Sequence, residues 1–188
     1  KFRPVALLAL GKHPLAAAGF TVAEFRAGIR LIDRKILRGP KPAPGIKGIR
    51  SLLEATKSTS LDASSKSLLA SMLDEFDIRC HPMIALGEGR VPFSALVEAH
   101  IEVAEALAQT DDKKGAERLW AGESGESLAR FFSDLRVSAS VFSDLSINHY
   151  PAVLNILMRR TIVRPRYGMH PRLNVWGPLE ARLQKADC

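Results

Sequence analysis

The sequence predicts a mainly α-helical protein, and three observations support this class. Apolar residues recur at every third or fourth position along most of the chain, which is the spacing of a helix face that packs into a core. Proline and glycine interrupt these segments where helices are expected to end. The chain of 188 residues is 46% apolar and 25% charged, an ordinary balance for a folded domain. General disorder is excluded, and two cysteines are too few for a disulfide scaffold.

The first helix is expected in residues 1–10. Thr21-Val-Ala-Glu24 matches a capping box, after which apolar residues at helical spacing continue to Ile36, and Gly39-Pro40 ends this second helix. A stiff Pro-rich connector follows at 41–45. Loops are expected at 58–67 and 80–89. The remaining predicted helices are 46–57, 68–76, 92–108, 128–142 and 151–158.

A different pattern starts at Thr161, so the chain is divided into a helical region, 1–160, and a basic tail, 161–188. The prolines of the tail do not suit a helix, whereas the alternation at 173–176 predicts one short strand. One strand alone leaves its backbone groups unpaired. We therefore expect a sheet completed by residues outside this chain, and an excised fragment of a larger protein. Residues 179–185 are expected to be helical.

Charge is unevenly distributed. Residues 1–50 hold 11 Lys+Arg and 2 Asp+Glu, residues 51–110 hold 4 and 9, and residues 159–188 hold 7 and 2. If the two basic ends meet, they form one positive surface that attracts phosphates; otherwise they are two solvated faces. No export signal or spanning segment is recognised, and two unpaired thiols favour the reducing cytoplasm.

A row of arginines is the clearest candidate for binding. Arg26, Arg30, Arg34 and Arg38 follow a spacing of four, which places them on one side of the second helix, opposite its apolar face. Such a row can follow a nucleic-acid backbone, or it can be an ordinary solvated face with acids nearby. The tail offers a second set in irregular chain, where binding residues are common: Arg164, Arg166, Arg172 and Arg182.

The sequence contains no recognisable catalytic or metal-binding motif. Cys80-His81 and the other histidines lack the spacing that places two ligands on one ion. Gly11-Lys12 lacks the rest of a phosphate loop, and no Gly-x-Ser-x-Gly elbow is present. His100 lies on an apolar helix face, so it is interpreted as a histidine at the edge of the core. A stand-alone enzyme is the weakest hypothesis.

The tail resembles a segment of the AddB family. The residues that carry the resemblance are 164–184, RPRYGMHPRLNVWGPLEARLQ, supported by 11–16 (GKHPLA), 37–45 (LRGPKPAPG) and 119–126 (LWAGESGE). AddB proteins are subunits of an ATP-dependent helicase–nuclease that repairs double-strand DNA breaks together with an AddA subunit. The resemblance covers the whole chain and implies an internal fragment of such a subunit.

The resemblance also implies a fold and partners. Residues 1–160 would be a multi-helix helicase accessory subdomain, and the tail would join the sheet of a RecA-like core. DNA and an AddA-like subunit are the implied partners, while ATP, magnesium and an iron–sulfur cluster belong to other parts of the family's proteins, with no cofactor expected here. Trp176 stands where related helicases have a lysine, and Pro178 is inserted, which argues against a motor role. The residues expected to contact DNA are Arg164, Arg166, His170, Arg172 and Arg182, with Arg26, Arg30 and Arg34.

An alternative function is a helical protein–protein interaction module without DNA contact. In that interpretation the acidic middle of the chain binds a basic partner. The acidic surface would include Glu98, Glu102 and Glu105, which are expected to face away from the core.

Overall fold

The computed structural model describes residues 4–57, 60–161, 163 and 177–183, and these are mainly α-helical, as predicted. The predicted strand at 173–176 lies outside the described residues, and the boundary after residue 160 stays a prediction. In chain order the elements are α1 (Pro4–Gly11), α2 (Val22–Leu31), a π-helical turn (Ile32–Ile36), α3 (Ile46–Ala55), α4 (Ala63–Ala85), β1 (Arg90–Val91), α5 (Phe93–Ala108), α6 (Gly115–Leu119), α7 (Gly122–Ser138), a 3₁₀ turn (Ala139–Val141), β2 (Leu145–Ser146), α8 (Tyr150–Met158) and α9 (Pro178–Leu183).

Two hydrophobic clusters share the long helices α4 and α5. The first cluster joins α1, α2, α3 and the first half of α4, with Leu107 from the end of α5. The second joins the start of α5 to α7 and α8, with Met83 and Leu86 from the end of α4 packed against it. The start of α4 and the end of α5 therefore meet in one cluster, and their opposite ends meet in the other. The two helices run antiparallel and link both cores.

Helix α4 is longer than the sequence predicted, and this corrects both expected loops around it. It begins at Ala63 because the Asp62 side chain accepts a hydrogen bond from the Ser65 amide (3.5 Å), which caps the first turn. It then continues through Cys80, His81 and Pro82 to Ala85. A proline in a helix removes one backbone hydrogen bond, at a cost of about 3 kcal/mol. The five buried side chains before Pro82 and the partly buried Met83 after it offset this cost.

A short antiparallel pair of strands was not predicted from the sequence. Arg90 of β1 pairs with Ser146 of β2, and Val91 pairs with Leu145. The Arg90 guanidinium also donates to the Asp144 carbonyl. Strands of two residues are too short to show alternation in the sequence. The pair ties the start of α5 to the segment before α8.

The end of α5 is held by three separate parts of the chain. The Ala17 and Ala18 amides both donate to the Leu107 carbonyl (2.9 Å each). Arg79 of α4 donates to the Ala106 carbonyl (2.9 Å). Arg118 of α6 donates a hydrogen bond to the Ala108 carbonyl. It also donates to the Leu15 carbonyl (3.1 Å). These donors satisfy the last carbonyls of the helix, which have no partner within it. They also fix the loop between α1 and α2.

The approach of α6 to α5 gives a stability prediction. A Cβ atom at Gly115 would overlap the Glu105 carbonyl group, which is backbone and cannot move aside as a side chain does. We expect Gly115→Ala to lower the free energy of unfolding by about 2 kcal/mol, the usual cost of overpacking. Urea denaturation followed by circular dichroism measures this. Gly89→Ala is the control, because nothing lies within 4 Å of the added atom. Equal stability of the two variants would contradict the prediction.

Candidate nucleic-acid interface

The helix that carries the arginine row begins where the capping box was predicted. The Thr21 side chain accepts a hydrogen bond from the Glu24 amide (3.2 Å), and its hydroxyl donates to the Glu24 carboxylate (2.7 Å). A residue with this extended backbone and a side-chain oxygen is the preferred helix start. The cap fixes the first turn of α2 and hence the direction of every later side chain on it.

One face of α2 is buried and the opposite face carries the cations. The buried face consists of Phe25, Gly28 and Ile29 and continues into the π-helical turn with Ile32 and Ile36. Phe25 stacks on Phe76 of α4, with ring centroids 5.8 Å apart. The exposed side chains on the other side are Arg26, Arg30, Arg34, Lys35 and Arg38. All four arginines of the predicted row are therefore exposed, although Arg38 lies in the turn after Ile36 and not in the helix.

The π-helical turn keeps this row aligned. Residues four apart drift around an α-helix, because it has 3.6 residues per turn. In the turn Ile32–Ile36 the backbone bonds widen to a spacing of five, as in the hydrogen bond from the Leu37 amide to the Ile32 carbonyl (3.0 Å). The π-helical turn has more residues per turn than an α-helix, so it offsets the drift of the arginine side chains around the helix. Ile32 and Ile36 stay buried while Arg34 and Arg38 stay exposed.

Asp33, an acid within the row, forms an ion pair with Lys12. Lys12 directly follows α1, and its ammonium group lies 2.7 Å from the Asp33 carboxylate. The hydrogen bond from Lys12 holds the pKa of Asp33 below its usual value, with added attraction from Lys12 and Arg38. No local pattern in the sequence predicts this contact, because the two residues are 21 positions apart. Its effect is that Asp33 does not cancel the charge of the arginines beside it.

The arginines themselves have few protein partners. Arg26 donates to the Pro14 carbonyl at 3.4 Å, a long hydrogen bond. Within the described part of the chain, Arg30 and Arg34 form no hydrogen bond or ion pair. Guanidinium groups in this state present several donors to solvent and suit oxyanions such as phosphates. The row can therefore contact several phosphates of one backbone at once.

Of the tail residues that were expected to contact DNA, the structure describes only Arg182. Arg182 is exposed in the last turn of α9. Arg164, Arg166, His170 and Arg172 lie outside the described residues. The hypothesis that both basic ends form one positive surface therefore stays a prediction.

The acidic middle of the chain is less available than expected. Glu98 forms an ion pair with Arg136 (2.6 Å). Glu105 does not face away from the protein: its carboxylate accepts a hydrogen bond from the indole nitrogen of Trp120 (2.6 Å), and it is half-buried. That expectation was wrong because the periodicity of α5 alone does not predict a contact with Trp120, the residue that follows α6. Glu102 is exposed, as expected.

The described residues offer no alternative centre built on metal ligands. No group of three or more His, Cys, Asp or Glu side chains lies together among them. Cys80 is buried and His81 is exposed, so these neighbours lie on different sides of α4. In the same part of the chain, no helix combines the length and apolar character that crossing a membrane requires.

The chain was compared with protein-family models, curated proteins and solved structures, and no match was found in any of the three.

His100 lies at the edge of the second cluster, as predicted. Its Nδ1 is 3.0 Å from the Tyr150 hydroxyl, and its ring meets Phe132 edge to face, with centroids 5.4 Å apart. Burial lowers the pKa of His100 and raises the pKa of Tyr150. Both groups are therefore neutral near pH 7, and the pair is a packed structural contact.

The buried His100 predicts how stability depends on pH. The unfolded chain binds a proton at this histidine near pH 6.5, whereas the folded chain binds it only at lower pH. The contribution of His100 to stability is therefore fully present above pH 6.5 and is lost as the pH falls below it. Urea titrations from pH 8 to pH 5 measure this, each compared with His100→Gln. The variant should lack this component.

The control for this experiment is His149→Gln, because His149 is exposed. It should keep the pH dependence of the native chain. If the His100 and His149 variants respond to pH alike, burial of His100 is not the cause.

Proposed function

We propose that this chain is a helical part of an AddB-like subunit of a double-strand break repair helicase–nuclease, and that the arginine row on α2 contacts the DNA backbone there. The helical region would be an accessory subdomain, and the tail would lead into a RecA-like core sheet. DNA and an AddA-like subunit would be the partners. The observation that carries the proposal is the exposed, largely unpaired row Arg26, Arg30, Arg34 and Arg38.

Two further features support DNA contact at this face. The row continues through a π-helical turn, and such turns occur frequently at functional sites. Lys12 neutralises Asp33, so the net charge of the face stays positive. Guanidinium groups on a helix surface bind phosphates without reading bases. The expected contact is therefore independent of DNA sequence and sensitive to salt.

Fluorescence anisotropy with a labelled DNA duplex tests the proposal. The full 188-residue chain is titrated at salt concentrations from about 50 to about 200 mM. Each phosphate contact adds about 0.9 to the slope of log affinity against log salt. We expect replacement of Arg26, Arg30 and Arg34 by Ala to weaken binding and to reduce this slope by about 2 to 3.

A variant with the same change in net charge separates this face from general attraction. Arg130, Arg159 and Arg160 are exposed on α7 and at the end of α8. Their joint replacement by Ala should reduce the slope by less than about 1. Equal effects of the two triple variants would remove the α2 face as the site.

A third variant tests the tail. Replacement of Arg164, Arg166 and Arg172 by Ala should also reduce the slope if those residues contact phosphates. If neither the α2 variant nor the tail variant changes DNA binding, the DNA proposal fails, and the protein-interaction module becomes the better hypothesis.

A further inference from the structure

An open apolar groove lies on a different part of the protein from the arginine row. Its volume is about 940 Å³, near the upper end of the range for sites that hold a ligand. Helix α1 supplies one wall, α4 supplies a second, and the start of α3 and the segment after β2 close the ends. The apolar lining consists of Ala6, Leu10, Pro44, Ile46, Met83, Ile84, Val103 and Ile147.

The wall formed by α1 is apolar on all sides, although only one side is buried. Its sequence is PVALLALG, and only Leu7 and Gly11 are buried. Val5 is 79% exposed, and Ala6 and Ala9 are also exposed. A surface helix normally presents polar residues to water, and an apolar helix is normally covered. On the facing wall Ile84 is 47% exposed. The groove therefore has two apolar walls open to solvent.

The α4 side of the groove carries one exposed acid, Asp77, and the negative end of the helix dipole. Asp77 lies two turns before Ile84 on the same wall, is exposed and forms no ion pair with any described residue. Glu88 lines the groove just after the end of α4. The last turn of α4 has no basic residue, so the negative end of its dipole is not compensated. Lys47 lies on the opposite side, at the start of α3.

The charge of Asp77 also acts on the floor of the groove. Burial and then the charge of Asp77 raise the pKa of the Cys80 thiol to about 12. Cys80 lies one turn after Asp77 and lines the same space. An occupant with positive charge at the α4 side is therefore favoured, and a negative one is repelled.

The lining also limits the backbone of an occupant. The walls formed by α1 and α4 present mainly apolar side chains of helices, which offer few hydrogen bonds to a peptide backbone. An extended peptide would leave its own amides and carbonyls unpaired there. A helix satisfies these groups internally and presents apolar side chains at a spacing of three or four. Two turns of the α4 wall, about 10 Å, match three such positions on a partner helix.

We propose that this groove binds a basic amphipathic helix of a partner protein, with its apolar face between α1 and α4 and a Lys or Arg beside Asp77. This site does not rest on the proposed DNA contact, because none of the arginines of the row lines the groove. The two surfaces can therefore be tested separately on the same chain.

Binding of designed peptides to the full chain tests the proposal. The probe is a fluorescein-labelled helical peptide with leucines along one face and lysines at both ends. One control peptide has glutamates in place of the lysines, and another has the same composition with the leucines scattered around the helix. We expect the lysine peptide to bind at least about tenfold more tightly than either control.

Variants of the chain locate the binding site. Ile84→Asp should abolish binding of the lysine peptide, since it places a charge on the apolar wall. Asp77→Asn should weaken it by about two- to fivefold, as expected for one exposed charge pair. The matched control is Ile156→Asp, at an exposed isoleucine of α8 that is 62% accessible. This control should bind as the native chain does, and circular dichroism checks that each variant is folded.

Three results would overturn the proposal. The first is equal binding of the lysine and glutamate peptides, and the second is equal loss of binding in the Ile84 and Ile156 variants. The third is a dimer in sedimentation experiments that Ile84→Asp dissociates, which would assign the groove to a second copy of the chain.

Discussion

The end of α5 is the point on which the rest of the fold depends. Its last carbonyls accept hydrogen bonds from the loop before α2, from Arg79 of α4 and from Arg118 of α6. Each unmade hydrogen bond at such a site costs about 1 to 3 kcal/mol, since a half-buried carbonyl would lose its partner. These donors tie the end of α5 to α4, to α6 and to the loop before α2, and so add directional bonds to the packing between these elements.

Helix α4 transmits this arrangement to both surfaces. On one side its Phe76 and Met72 pack against α2 and so set the direction of the arginine row. On another side its Asp77, Cys80 and Ile84 form a wall of the groove. A break at Pro82 would separate Ile84 from Asp77 and Cys80 on the groove wall. The structure instead keeps a continuous helix of 23 residues, with five buried side chains before the proline and the partly buried Met83 after it.

Local signals in the sequence predicted the local structure. The Thr21 cap, the apolar spacing of α2 and the exposed arginines depend on residues within a few positions, and they were predicted correctly. The length of α4 was not, because a Ser-rich start and an internal proline read as loops, while the packing that overrides them comes from α5. The Lys12–Asp33 pair, the Trp120–Glu105 bond and the groove join distant residues. No local pattern contains that information.

The charge of each surface is a product of the fold as much as of composition. The first fifty residues are basic, but the α2 face would be partly neutral if Asp33 were free, and Lys12 prevents this. The middle of the chain is acidic, yet Glu98 and Glu105 are engaged within the protein. Asp77 remains exposed beside an apolar wall. The arginine row and Asp77 thus keep charges of opposite sign on two separate surfaces, and each can attract a partner of the opposite charge.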